Sequence, residues 1–499
     1  MKIAIIGAGI GGCAAYLSLK NRLPKPLSPS QDHKYTIYEA YDTPRNFESP
    51  HSLGETHSAS LVVGGGLGVG PNGLRVLRRL DEELFHDVVR AGYPYAAMKF
   101  MNSYGFTMMR MSSRCGSDPE INSVSMSRHA IWRTLRSRIP DGVIVTKRVA
   151  EVVSNTNGPN TIKFADGSAD VEADLVIGAD GLRSVAKRAL FPGETQDPYP
   201  PHYQGIVGIG GFVPLADVRP DVEAGAMTIV FGGNGFFGYA PSDTSPEAPN
   251  RHIPQGVMPP GKTVMWWSTY EIDECPNPKT IDKEAVKQDL QKRHGNWRNP
   301  VIQKIISSVN VETMYPVWTT PDLPTWERDG VVLIGDAAHT LPPTSGQGTS
   351  QALEDVECFT MLLAHYLKKA YDGKSPEEPA AVTEAETGAI SQTSKKYMEI
   401  RQPRVKDILT KSKRMESKKR NLNIFEEWLL YLVFFIMGEL LSYQPAFKHD
   451  KIWLTPHPAM TGRLPTLPWI RNPFAYDIAE EVSHVIELEK QKEPKKDSK

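Results

Sequence analysis

Asp336 stands where an apolar run, Val331 to Ile334, gives way to Gly335-Asp336-Ala337-Ala338-His339, with Pro342-Pro343 and Gly346-Gln347-Gly348-Thr349 following. An aspartate between a strand end and a Gly-rich turn is placed to accept ribose hydroxyls. The turn leads into a helical pattern, Gln351 to Leu363, whose N-terminus offers backbone N–H groups to a pyrophosphate or an electron-rich ring.

Two further nucleotide motifs lie upstream. Gly7-Ala8-Gly9-Ile10-Gly11-Gly12 has the Gly-x-Gly-x-x-Gly form between a strand pattern, Lys2 to Ile6, and a helical one, Gly12 to Lys20. In such a motif the first glycine makes a tight turn, the second lets a pyrophosphate approach, and the third allows close helix packing. Glu39 ends a second strand, Tyr35 to Glu39, where an acid should bind ribose hydroxyls. The Pro- and Ser-rich insertion Pro24 to Asp32 accounts for its long separation from Gly12. A glycine-rich turn without ligand is the plain alternative, and the motif does not separate NAD from FAD. The other, second in chain order, is a strand, Leu175 to Ile177, running into Gly178-Ala179-Asp180-Gly181-Leu182-Arg183, which makes the Gly335-Asp336 motif the third.

These three motifs, in this order over about residues 1–370, resemble the group A flavoprotein monooxygenases of the para-hydroxybenzoate hydroxylase type. The resemblance implies that Asp180 and Arg183 lie near both FAD and NAD(P)H. It makes Arg128 an FAD contact, on a helix face shared with Ile131 and Leu135; an exposed helix arginine is the alternative. It sets Gly64-Gly65-Gly66, ahead of Pro71-Asn72-Gly73, close to the flavin. Asp336 would bind the FAD ribitol or ribose, and Gly346, Gly348 and Thr349 would sit against the isoalloxazine. His339 would shape the turn rather than titrate. The implied cofactor is FAD, with NADPH or NADH as co-substrate and O₂ as oxidant. Reduced flavin would form a C4a-hydroperoxide that hydroxylates or epoxidises an apolar or aromatic small molecule, in secondary metabolism or catabolism. The flavin carries the hard chemistry, and no catalytic side chain and no metal site is assigned. Some relatives that act on phenols carry an arginine in the strand matching Gly205 to Val213; this chain has no charge there. A halogenase or prenyl reductase of the same fold, and a flavin-binding redox sensor without turnover, are the competing readings. The chain shows no Trp-x-Trp-x-Ile-Pro signature, which disfavours the halogenase.

The elements that must position these motifs follow from apolar periodicity. Residues 1–39 form a βαβ unit. Helices are expected over Pro71–Leu80, Ser127–Arg138, Lys283–His294 and Pro300–Ser308, and paired strands over Val143–Val153 and Thr161–Phe164. Short β-like runs at Gly205–Val213, Met227–Phe231, Phe236–Ala240 and Thr263–Thr269 suggest a mostly antiparallel sheet. Phe236-Phe237-Gly238-Tyr239 and Trp266-Trp267 could line an apolar pocket or be ordinary core. The fold class is therefore α/β: a Rossmann-like FAD-binding domain, an interleaved β-sheet substrate domain and a helical C-terminal region. The expected divisions are 1–198 and 311–371 for FAD, 199–310 for substrate, 372–486 helical (opening with a polar linker, Asp372 to Glu384) and 487–499 a disordered charged tail.

A chain of 499 residues holds two or three such domains. Its net charge of −1 gives no field for nucleic acid. Four scattered cysteines, without metal-ligand spacing, fit a reducing, cytoplasmic setting. The apolar stretch Trp428 to Leu441, interrupted by Glu439, is short for a membrane span. A buried or oligomer-contact helix and a membrane-surface contact through 424–441, helped by the basic run Lys411 to Arg420, are the two main readings. Arg401 and Arg404 are expected to be solvated or paired, and oligomeric state is left open.

Overall fold

The structure is a computed structural model that describes residues 1–27, 32–42, 65–114, 121–194, 196–277, 280, 282–308, 314–416, 422–442 and 475–492. Among these residues, a six-stranded sheet anchors the fold. Its centre is β1 (Lys2–Ile6), paired in parallel with β2 (Lys34–Glu39) on one side and with Leu175–Gly178 on the other. Leu175–Gly178 pairs in parallel with Val331–Leu333. These strands read as near-continuous apolar runs because both faces of a parallel sheet are covered; Ile3, Ile5, Ile37, Val176 and Val332 are all buried.

The turn after β1 feeds α1 (Ile10–Arg22), whose last turn carries Lys20 and Arg22 against the negative end of the helix dipole. The strand β3 (Gly66–Val69) leads into α2 (Pro71–Leu80), opened by proline at its first position. In α3 (Arg128–Ser137) the Ser127 side chain accepts from Ala130 N and caps the helix.

A seven-stranded sheet runs in the order Met314–Thr319, His202–Pro214, Thr263–Glu271, Gly235–Pro241, Ala226–Gly232, Ala97–Asn102, Thr107–Ser112. One pair, Ala226–Gly232 with Ala97–Asn102, is parallel and the rest antiparallel. This sheet therefore takes strands from sequence on both sides of 199–310. Helices α4 (Lys283–His294) and α5 (Pro300–Ser308) cover one face, packing on Val207, Ile209, Phe237, Tyr239 and Trp266. A third sheet, β3 with Ser123–Ser127 and Tyr93–Tyr95, lies over the other face.

The C-terminal region is helical: α6 (Gly348–Tyr371), α7 (Pro379–Glu416), α8 (Ile424–Ser442) and α9 (Ile478–Lys492). Three expectations need correction. Val143–Val153 is two strands, not one. Ile144–Thr146 joins the parallel sheet beside β2, and Val149–Val153 turns away to pair with Asn160–Phe164. Residues 379–384, the end of the expected linker Asp372 to Glu384, are the start of α7, so the linker ends earlier than expected. Residues 487–492 are not a free tail but the end of α9, held where Tyr366 Oη donates to Glu489 at 2.8 Å.

Candidate cofactor and substrate site

All three motifs sit at the C-terminal ends of adjacent parallel strands, the edge where open α/β sheets bind ligands. Gly7 follows β1 with φ of +100°, and a Cβ there would lie 2.6 Å from the Ala179 carbonyl oxygen. Only glycine fits between the Gly7 turn and the Ala179-Asp180 turn of the second motif. A Cβ on Gly12 would overlap the Gly7 carbonyl oxygen, so this glycine holds the turn against its own helix. Gly9 is different: nothing lies within 4 Å of its Cβ position, at the N-terminus of α1. One glycine is small for packing and the other leaves open a place beside free helix N–H groups.

Glu39 comes to this turn from β2. Its Oε2 accepts from Ala8 N at 2.7 Å and its Oε1 from Tyr41 N at 3.2 Å. Burial pushes its carboxyl above the ordinary carboxylate range despite those bonds. Asp180 accepts from Val185 N at 2.7 Å and Ala186 N at 3.2 Å through Oδ2, while its buried Oδ1 has no partner among the described residues. Burial raises its pKa too. Arg183 is exposed on the same turn. Asp336 starts a one-turn helix directly after the third strand and is half-buried. Gly335 before it packs on Ala352, at 3.1 Å from a Cβ position, and Gly11 faces the same alanine at 3.9 Å, so the first and third motifs share one wall.

Arg128 opens α3, half-buried, and its backbone N–H donates to Gly65 O at 3.1 Å. Ile131 and Leu135 lie buried one and two turns on. Gly65 thus stands beside Arg128; Gly64 lies outside the described residues. Gly346, with φ of +60°, and Gly348 have nothing within 4 Å of a Cβ position, and Thr349 is half-buried beside them.

Several site residues had escaped the sequence reading. Trp132 Nε1 donates to Ala8 O at 2.8 Å, clamping α3 to the first motif. Ser350 Oγ accepts from Gly70 N at 3.2 Å, joining the third motif to the loop before α2. Asn72 Nδ2 donates to Gln347 Oε1 at 3.1 Å, yet Asn72 Oδ1 and Gln347 Nε2 are buried without partners among the described residues. Beneath them lies an ionic cluster. Arg401, fully buried, binds Asp355 at 2.8 Å, Glu354 at 2.6 Å and Gln351 Oε1 at 2.7 Å. Arg404 binds Glu354 at 2.6 Å and stacks on Tyr476 at 3.7 Å. Of the two expectations for these arginines, solvated or paired, both are paired. Asp355 Oδ2 also accepts from Gly335 N at 2.8 Å and meets His339 Nε2 at 2.6 Å, so His339 is a member of the turn's support. The sequence signal was there: Glu354, Asp355 and Glu357 inside a largely apolar helical stretch are costly unless paired.

The substrate-side face of the large sheet is apolar. Met98, Phe212, Met227, Met265 and Trp267 gather with Tyr93 and Tyr95 under β3, and a Cβ on Gly66 would strike Met265. Cross-strand register puts Gly208, Gly210 and Phe212 opposite Thr269, Trp267 and Met265. The aromatic runs therefore divide: Phe237, Tyr239 and Trp266 are core under α4 and α5, and Trp267 packs on the opposite face with Met265 and Met227.

FAD fits this donor set. The site offers an open helix N-terminus, carboxylates that burial leaves wanting hydroxyl donors, and orphaned amide and carboxylate atoms beside two open glycines. A family model described as FAD binding domain matches residues 61–379. That match starts beyond the first glycine motif, so the first motif rests on the geometry above. 6-Hydroxynicotinate 3-monooxygenase of Pseudomonas fluorescens is 23% identical over 378 residues, covering 74% of this chain and 85% of that protein. Salicylate hydroxylase of Pseudomonas putida is 23% identical over 384 residues, covering 76% and 79%. Among solved structures, HpxO of Klebsiella pneumoniae complexed with FAD and uric acid superposes with a TM-score of 0.64 at 21% identity, over 88% of this chain and 94% of that one. With its fold, its motif order and this match agreeing, the chain belongs to the FAD-binding-domain family, that of the group A FAD-dependent monooxygenases.

Proposed function

We propose that this enzyme uses NAD(P)H and O₂ to insert one oxygen atom into an uncharged apolar or aromatic small molecule. Bound FAD supplies the redox chemistry: NAD(P)H, O₂, a proton and substrate become NAD(P)⁺, water and oxygenated product. The protein's residues do the rest. Gly9 and the α1 N-terminus seat the pyrophosphate, Glu39 and Asp336 accept from the sugar hydroxyls, and Asp180 with Arg183 borders the cofactors. Gly65, Arg128 and the 346–349 turn border the ring. Met98, Phe212, Met227, Met265 and Trp267 exclude water beside it, which keeps activated oxygen from being wasted.

The observation that carries this reading is the delivery of three nucleotide motifs to one sheet edge, which the β3 segment links to an apolar face of the large sheet through Gly70–Ser350 and Gly66–Met265. The relatives named above act, by their names, on hydroxynicotinate and salicylate. The wall here is apolar, which favours a neutral ring or alkene. The test is NADPH or NADH oxidation under air with and without candidate substrates. Substrate-stimulated oxidation with a product heavier by one oxygen atom supports the reading; oxidation without oxygenated product for any apolar or aromatic candidate rejects it. Within this reading the protein is cytoplasmic and touches a membrane surface through 424–441. No helix among the described residues is long and apolar enough to cross a membrane.

A further inference from the structure

Helix α8 has two apolar faces, and the fold uses one. On the inner face, Leu430 and Tyr431 are buried with Phe100, Met109, Phe231 and Phe236 at the edge of the large sheet. Tyr431 Oη donates to Phe231 O at 3.0 Å, and Leu422 N donates to Gly233 O at 2.8 Å. A Cβ on Gly438 would lie 2.6 Å from Met108 O, so the helix sits close and its rotation is fixed.

The outer face is thereby held out. Phe425, Trp428, Leu429, Leu432, Phe435 and Ile436 are between 47% and 86% exposed. They recur at helical spacing along one side. The patch continues onto the neighbouring hairpin, where Tyr104 stacks on Trp428 at 5.8 Å and Phe106 is 68% exposed. An exposed apolar surface this continuous marks an interaction site.

Charge argues for the occupant. The ten residues 411–420 leading to α8 carry six lysines and arginines against a single acid, Glu416. Cations clustered in the sequence ahead of an apolar helix with an exposed tryptophan match an anionic lipid surface. The helix is not long and apolar enough to cross. We infer that α8 lies along an anionic phospholipid bilayer with Phe425, Trp428, Leu432 and Phe435 in its acyl boundary. This rests on the membrane contact proposed above and specifies its face and lipid charge; it is independent of the flavin chemistry.

The test is flotation of the full-length protein with phosphatidylcholine vesicles, with and without phosphatidylglycerol. The protein should float with the anionic vesicles and at least about tenfold less with neutral ones or at raised salt. F425S/W428S/L432S should lower anionic partitioning at least about tenfold while keeping wild-type FAD content. Wild-type protein that stays unbound to anionic vesicles overturns the inference, as does a triple variant that binds like wild type. Light scattering covers the rival occupant: a wild-type dimer that the variant dissolves, with no vesicle binding, makes the face a contact between copies and rejects lipid. Should the variant lose its fold, hydrogen exchange on wild type decides. Residues 424–436 gaining protection on anionic vesicles support the inference, and unchanged exchange overturns it. Wild type that floats but lacks FAD would count against the flavin reading alone.

Discussion

Two pairs of buried carboxylates sit on either side of the cofactor turn, and they behave in opposite ways. Glu39 and Asp180, at the cradle, are pushed above the ordinary carboxylate range by burial, which their backbone hydrogen bonds only partly offset. Glu354 and Asp355, in the support beneath, are just as dry, yet Arg401 with Arg404 holds the first below that range and His339 with Arg401 holds the second. The support carries its own cations; Glu39 and Asp180 carry backbone donors and no ion pair among the described residues. The same desolvation therefore raises one pair and is outweighed by cations in the other, and partners decide which.

The largest effect should come from breaking the support. Arg401→Met removes the principal counter-charge of Glu354 and one of the two that Asp355 has, at a cost of about 3–5 kcal/mol. Chemical denaturation of the apoprotein should show it, and adding Glu354→Gln and Asp355→Asn should recover part of the loss. Unchanged stability in the single variant would mean the cluster is not a support.

The glycines sharpen the comparison within one motif. Gly12→Ala forces a Cβ onto the Gly7 carbonyl and should destabilise the apoprotein by about 1–3 kcal/mol. Gly9→Ala meets open space and should leave apoprotein stability intact while weakening FAD binding. Equal melting losses in both would erase the distinction between packing and binding glycines. Asp336→Ala should cost about 1–3 kcal/mol of FAD affinity through a sugar hydroxyl left without an acceptor. Fluorescence titration of the apoprotein with FAD measures this, and an unchanged dissociation constant removes Asp336 from the site.

The smallest effect is a proton. A raised native pKa for Glu39 means the fold favours its protonated form. That contribution to stability is present below the unfolded pKa and lost as pH rises through the native one. For Glu354 and Asp355 the sign reverses: their contribution is present above the unfolded pKa and lost as pH falls through the depressed native values. Sugar hydroxyls donating to Glu39 should lower its pKa, so FAD binding just above the ordinary carboxylate range should release protons. Calorimetry in buffers of different ionisation enthalpy detects this; no buffer dependence would contradict it.

Much of the cradle was legible in sequence because its constraints are local. Strand, tight turn and helix succeed one another within a dozen residues, so β1, α2, α4 and α5 fall where periodicity and capping put them. The support was not legible because Arg401 meets Glu354 across 47 residues and a helix-helix interface that no local pattern encodes. Four strands of the large sheet were legible from their short β-like runs, but its Ala97–Asn102 edge hid for the same reason as the support: it pairs with Ala226–Gly232, far along the chain. The linker and tail boundaries misled: Pro379 with its small neighbours opens α7, and the charged stretch 487–491 lies on the end of the docked helix α9.

Flavin content tests the central claim most directly. Protein purified under native conditions, then denatured, should release noncovalent FAD, identified by absorbance and mass, at close to one per chain. A colourless protein that also takes up no FAD on titration would contradict the cradle itself.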